Sequence, residues 1–158
     1  MSEIGERAVE IARAWIGTPY HHQASVRGVG CDCLGLVRGV YAELYGAPAE
    51  TPPPYSRDLA EATGVETLLE AARRHLDEVA HWMDMPTLRA VLPVQGDVLI
   101  FRLRPGAVAK HCGIYVAGPG MIHAFEGASV CEVSLSNWWR RHIAAVFRFL
   151  EREVKQWR

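Results

Sequence analysis

The feature that most constrains this chain is a change of period partway along it. Up to about position 50 apolar residues recur at helical spacing, and after Gly96 they fall in short β-rich runs. Ile4, Ala8, Ile11, Ala12 and Trp15 form one helical face, closed by Gly17-Thr18-Pro19. Leu36, Val37, Val40, Tyr41 and Leu44 form a second, which begins at Cys33 and is stopped by Gly46 and Pro48. The runs Asp97 to Phe101, Cys112 to Val116, Met121 to Phe125, Ser129 to Val133 and Ile143 to Phe149 are separated by Gly, Pro and Ser, and they predict a small antiparallel sheet. Helices first and strands after give an α+β domain in which the helix starting at Cys33 packs on one face of the sheet.

Between the two halves, Thr51-Pro52-Pro53-Pro54 reads as a rigid extended connector. Thr63-Gly64-Val65-Glu66 has the form of a capping box, and Val65, Leu68, Leu69, Ala72, Leu76 and Val79 follow at helical spacing, so a helical insert is expected over about 51–92. Trp82 to Leu92 carries no usable pattern, and the charged tail from Glu151 is expected to fray. At 158 residues the chain suits one domain with a continuous core.

Composition removes several function classes. Seventeen basic against eighteen acidic residues leave a formal charge of -1, no footprint for nucleic acid or an anionic membrane, so neither partner is expected. No apolar run is long enough to span a bilayer, and the first residues lack the basic and apolar regions of a signal peptide, so synthesis in the cytoplasm without a signal peptide is expected. Cys31, Cys33, Cys112 and Cys131 are then expected as free thiols.

One of those thiols stands where chemistry is easily built. In Gly30-Cys31-Asp32-Cys33-Leu34-Gly35-Leu36-Val37 a turn gives way to an apolar helix. Asp32 is placed as the N-cap, accepting a first-turn N–H, and the unpaired amides of the helix start would favour a thiolate at Cys33. A cysteine nucleophile also needs a base, a group that orients the base, and donors for an oxyanion. His111 and His123 can fill the first two roles, standing on the sheet face opposite the Cys33 helix, and the helix-start amides can fill the third. The intervening hairpin decides whether the histidines meet. A loop of Ala117 to Gly120 would place them on opposite faces, whereas a three-residue loop, Val116 to Gly118 with Gly118 left-handed, sets His123 across from His111. The odd-loop register is the one expected.

On the residues alone, two other readings stand beside this one. The cysteine and histidines are also common as ordinary packing. Cys31, Cys33, His111 and His123 also make a possible zinc set, though C-x-C is a poor zinc spacing. No metal and no cofactor are expected. Cys31 and Cys33 could in addition close a strained disulfide under oxidation.

Gly17-Thr18-Pro19-Tyr20, Cys31 to Val37, Gly96-Asp97-Val98, His111 to Val116 and Ile122-His123-Ala124 together resemble the NlpC-type cell-wall cysteine peptidases, in that family's order. Gly-Cys-Asp-Cys-Leu-Gly-Leu-Val after His21-His22-Gln23 looks most like the branch found in phage tail gene clusters and gene transfer agents. The resemblance implies a papain-like fold and hydrolysis of γ-D-glutamyl-diamino-acid bonds in peptidoglycan stem peptides, with Cys33 attacking, His111 as base and His123 orienting it. It implies that Tyr20 lies near the nucleophile; His21 and His22, in the loop before Cys33, are placed for substrate contact by their position, and Asp32 is read as support for the oxyanion end of the helix. Phage-like tail proteins would be partners, and the virion or particle tail the final location. Gly96 and Asp97 are read as structural, for a turn and local backbone bonds. Two departures are Leu34, where many relatives carry serine, and the added Cys31, which would put a second sulfur beside the thiol.

Trp138-Trp139-Arg140-Arg141-His142 suggests either a recognition patch or one core tryptophan beside solvated arginines. His75 and His81 read as surface, and Cys112, alternating away from His111, as packing. An idle structural tail component, and an amidase or acyltransferase on the same scaffold, are the competing functions.

Overall fold

The computed structural model describes residues 2–54, 62–81 and 92–152. Helix α1 (Glu3–Ala14) is capped by Ser2, whose hydroxyl accepts the N–H of Gly5 at 3.1 Å. A two-stranded hairpin, β1 (Ser25–Val26) with β2 (Gly30–Cys31), interrupts the expected loop and leads directly into α2 (Cys33–Tyr45). Helix α2 ends at Gly46, whose φ of +75° is the left-handed C-cap that the sequence pattern predicts.

The expected helix over Val65 to Val79 is shorter. Helix α3 covers Thr67–His75, and β3 (Asp77–His81) then joins the sheet, so the described part of the 51–92 stretch is not wholly helical. The capping box does not form. The Glu66 carboxylate turns away from its helix and accepts from the Arg102 guanidinium and from the N–H of Ala109, the latter at 2.9 Å. A charged partner and a loop amide offer this carboxylate more than one cap N–H does. The patternless stretch from Trp82 to Val91 lies outside the described residues.

The remaining strands are β4 (Val98–Phe101), β5 (His111–Val116), β6 (Gly120–His123), β7 (Cys131–Ser134) and β8 (Ile143–Arg148), with the short helix α4 (Asn137–Arg141) before the last. The six-stranded sheet runs β3-β8-β4-β5-β6-β7, every pair antiparallel. Its faces carry separate apolar clusters. Ile100, Cys112, Ile114 and Phe147 meet Ala8, Ile11, Leu36 and Val40 of α1 and α2, while Leu99, Phe101, Met121 and Val146 meet Leu135 and the partly buried Trp139 of α4. Asp97, expected to make local backbone bonds, accepts the N–H of Val94 at 2.9 Å but also holds Arg148 through two 2.8 Å bonds from a fully buried position. Among the described residues no helix is long and apolar enough to cross a membrane.

Candidate active site

The nucleophile helix is fixed at its first turn. Asp32 is 3% exposed, and both its oxygens are used: Oδ1 accepts the N–H of Gly35 at 2.7 Å, and Oδ2 accepts that of Gln23 at 2.9 Å. It is the expected N-cap, and it also ties the preceding loop to the helix. Gly35 is required for that approach, because a Cβ there would stand 1.9 Å from the carbonyl oxygen of Ala24. The Ser25 hydroxyl donates to the Gly35 carbonyl at 2.6 Å, and the N–H of Leu36 reaches the Asp32 carbonyl at 3.0 Å. The N–H groups of Cys33 and Leu34, the first two of the helix, are left directed past its end.

Cys33 is half-buried, with its Sγ 3.8 Å from the carbonyl oxygen of Lys110, at the approach to β5. From there the strand offers a different residue on each face. His111 pairs with Phe101 of β4 and so lies on the α4 side, whereas Cys112 pairs with Ile100 and lies in the cluster under α2. The neighbouring Cys112 thiol and His111 imidazole, with the charge of His111, hold the Cys33 thiol well below its usual range, against burial and the nearby Asp32 carboxylate.

His111 and His123 meet as the odd-loop register requires. The loop is Ala117 to Pro119 rather than Val116 to Gly118, with Ile114 opposite Ile122 and Val116 opposite Gly120. His123 therefore falls opposite Gly113 and diagonal to His111; a slip of two residues moves its partner and keeps its face. Gly113 makes the diagonal contact possible, since a Cβ there would lie 3.2 Å from the Cβ of His123. His111 Nε2 and His123 Nδ1 are 2.9 Å apart and both residues are buried. With Nε2 engaged, Nδ1 is the nitrogen His111 has left for Cys33.

An aromatic enclosure surrounds this pair. The Trp139 ring centroid lies 5.4 Å from His111 and 5.3 Å from His123, Phe101 lies 5.7 Å from His111, and the exposed Phe125 reaches both imidazoles. Burial, and then the charge of His111, lower the His123 pKa from 6.5 to about 4. His123 is thus neutral near pH 7, and its Nδ1 accepts when His111 carries a proton on Nε2. Trp139 is the inward tryptophan of its pair, and Trp138 stacks outside on His142 at 4.0 Å.

Of the other residues expected at the site, Tyr20 is half-buried against the first cluster and bridges Cys31 through its backbone, and His22 is half-buried on the loop that Asp32 holds. Cys31 is fully buried, and burial, with the charges of Asp32 and Cys33, pushes its thiol up to about 12. Cys112 is buried in the cluster under α2, as its alternation away from His111 along the strand marks it. His75, read as surface, is partly exposed, with its ring edge-on to Tyr41 at 6.0 Å and its Nε2 3.6 Å from the Glu50 carboxylate. The side chain of His81 lies outside the described set. Nothing local in the sequence connects α4 with the histidines, so Trp139 and Phe125 have no sequence signal as site residues.

A helix-start thiol and a buried imidazole pair at the end of an antiparallel sheet define a papain-like α+β fold. The model of the NlpC/P60 family matches residues 17–148, and the chain belongs to that family. It is similar to the NlpC/p60 domain of the peptidoglycan hydrolase SagA (23% identity, TM-score 0.59, 92% of this chain and 98% of that one). It is also similar to RipD from Mycobacterium tuberculosis, described as a non-catalytic NlpC/p60 domain protein adapted to peptidoglycan binding (16%, TM-score 0.54, 95% and 100%). A third is an N-acetylmuramoyl-L-alanine amidase from Bacteroides uniformis (13%, TM-score 0.58, 92% and 98%). The chain spans 43 to 48% of several longer relatives. No curated protein matches it.

Proposed function

We propose that this protein is a cysteine endopeptidase that cleaves peptidoglycan stem peptides at the γ-D-glutamyl-diamino-acid bond. The observation that carries the reading is the 2.9 Å contact between His111 and His123 beside a half-buried Cys33 at a helix start. The Cys33 thiolate attacks the amide carbon, and the N–H groups of Cys33 and Leu34 receive the oxyanion. His111 delivers its Nδ1 proton to the departing amine while its Nε2–H stays on neutral His123, which fixes the plane of the ring. Water activated by His111 then releases the acyl group from sulfur. Tyr20 and His22, in the segment before the nucleophile, are assigned to substrate contact, and Asp32 acts through the backbone it holds.

Digestion of purified muropeptides followed by mass analysis tests this. Cys33→Ala should abolish product and leave the fold intact; full activity in that variant removes the proposal, and a mass shift at another bond identifies an amidase instead. The sequence of the nucleophile loop supports a further reading, that the enzyme works from the tail of a phage or gene transfer agent. Its absence from purified particles would refute that placement.

A further inference from the structure

Aromatic side chains at the surface are not spread evenly over this protein. Among the described residues two phenyl or indole rings are exposed, Phe125 at 44% and Trp138 at 46%, and both lie against the inward Trp139, at 6.2 and 5.0 Å between ring centroids. Phe125 stands two residues beyond His123, just past the end of β6, with its ring 5.6 Å from His111 in an edge contact and 5.8 Å from His123. An exposed ring that touches both members of a buried imidazole pair forms the solvent-facing border of that pair. Proton transfer decides which part of the substrate meets it. His111 gives its Nδ1 proton to the departing amine, so the residue beyond the scissile bond rests on the His111 side of Cys33. We propose that Phe125 is a specificity-determining residue: its exposed ring receives the aliphatic side chain of the leaving diamino acid.

A diamino acid suits this position. Its methylenes can lie along the ring while the distal amine stays in water, as long cationic side chains do on apolar surfaces. Trp138 and Trp139 extend the apolar surface along α4, and Arg140 and Arg141, exposed on the same helix, offer positive charge to the carboxylate of a leaving residue. The ring of Phe125 is already held against the imidazoles and Trp139, so little side-chain freedom remains to be lost on contact. Burial of two methylenes is worth about tenfold in affinity. A leaving glycine has no side chain to use the ring and forgoes that gain.

The inference rests on the proposed peptidase, because the roles of Cys33 and His111 set which side the leaving residue occupies. Digestion of L-alanyl-γ-D-glutamyl-L-lysine by wild type, read by mass, tests the peptidase; binding tests the inference, so the two fail separately. The full chain carrying Cys33→Ala, in which the peptides stay intact, is titrated calorimetrically with that tripeptide and with L-alanyl-γ-D-glutamyl-glycine, and the titrations are repeated with Phe125→Ala added. With Phe125 in place, the lysine peptide should bind about tenfold more tightly than the glycine peptide. Phe125→Ala should bring that ratio to about one by weakening the lysine peptide alone. Phe125→Gln replaces the alanine variant if near-ultraviolet dichroism shows that alanine disturbs the fold. An unchanged ratio in the alanine or glutamine variant overturns the proposal, and so does binding of neither peptide. Equal weakening of both peptides overturns it too, since Phe125 would then only shield the imidazoles.

Discussion

His123→Gln should remove a pH dependence of stability that wild type carries between pH 6.5 and about 4. The imidazole is 4% exposed, and burial first and the charge of His111 second depress its pKa across that interval. Because the folded value lies below the unfolded one, the unfolded chain takes up the proton first as pH falls. The stabilisation is therefore complete above pH 6.5 and is lost on the way down to about 4. At about 1.4 kcal/mol per pH unit, it amounts to about 3 kcal/mol. Glutamine does not titrate, yet it can still accept from His111 Nε2. Urea unfolding of both proteins at several pH values gives the comparison, and titrations shared by the two cancel in the difference. Wild type should lose about 3 kcal/mol more than the variant on descending through the window. Parallel loss in the two proteins would refute the view that His123 is held neutral.

Two further substitutions probe how closely the site is assembled. Gly113→Ala places a methyl 3.2 Å from the His123 Cβ and 3.1 Å from the Ile122 carbonyl oxygen, so it should lower kcat about tenfold by displacing the imidazole, with a stability change within about 1 kcal/mol in urea unfolding. Gly35→Ala collides with the Ala24 carbonyl and pulls the Gly35 N–H from Asp32, and should cost about 3 kcal/mol in urea unfolding and slow Cys33 alkylation.

How much of this was legible in the sequence follows the range of the forces involved. The cap by Asp32, the stop at Gly46 and the helix from Cys33 are set by residues within four positions of each other, and local pattern reveals them. The shared face of His111 and His123 was legible because side-chain parity survives a slip of two residues, although their direct opposition did not. Strand β3 was hidden because Leu76 and Val79 fit a helical stripe, while pairing with β8 overrides that local preference. Glu66 fitted a capping box and was drawn instead to Arg102, 36 residues away. Cys112 was legible as packing, because alternation along β5 turns it to the face away from His111 and into the cluster under α2.

The grip of Glu66 makes the middle of the chain a tether for its chemistry. Its carboxylate ties the start of α3 to Arg102 and Ala109, at the two ends of the loop that delivers Lys110 beneath the nucleophile. Arg102 also clasps the Ala107 carbonyl at 2.7 Å, so one guanidinium and one carboxylate span the whole loop. The stretch outside the recognisable blocks thus acts as a splint on the strand bearing His111. A chain shortened there would lose alignment at the cleft before it lost any residue of the cleft itself.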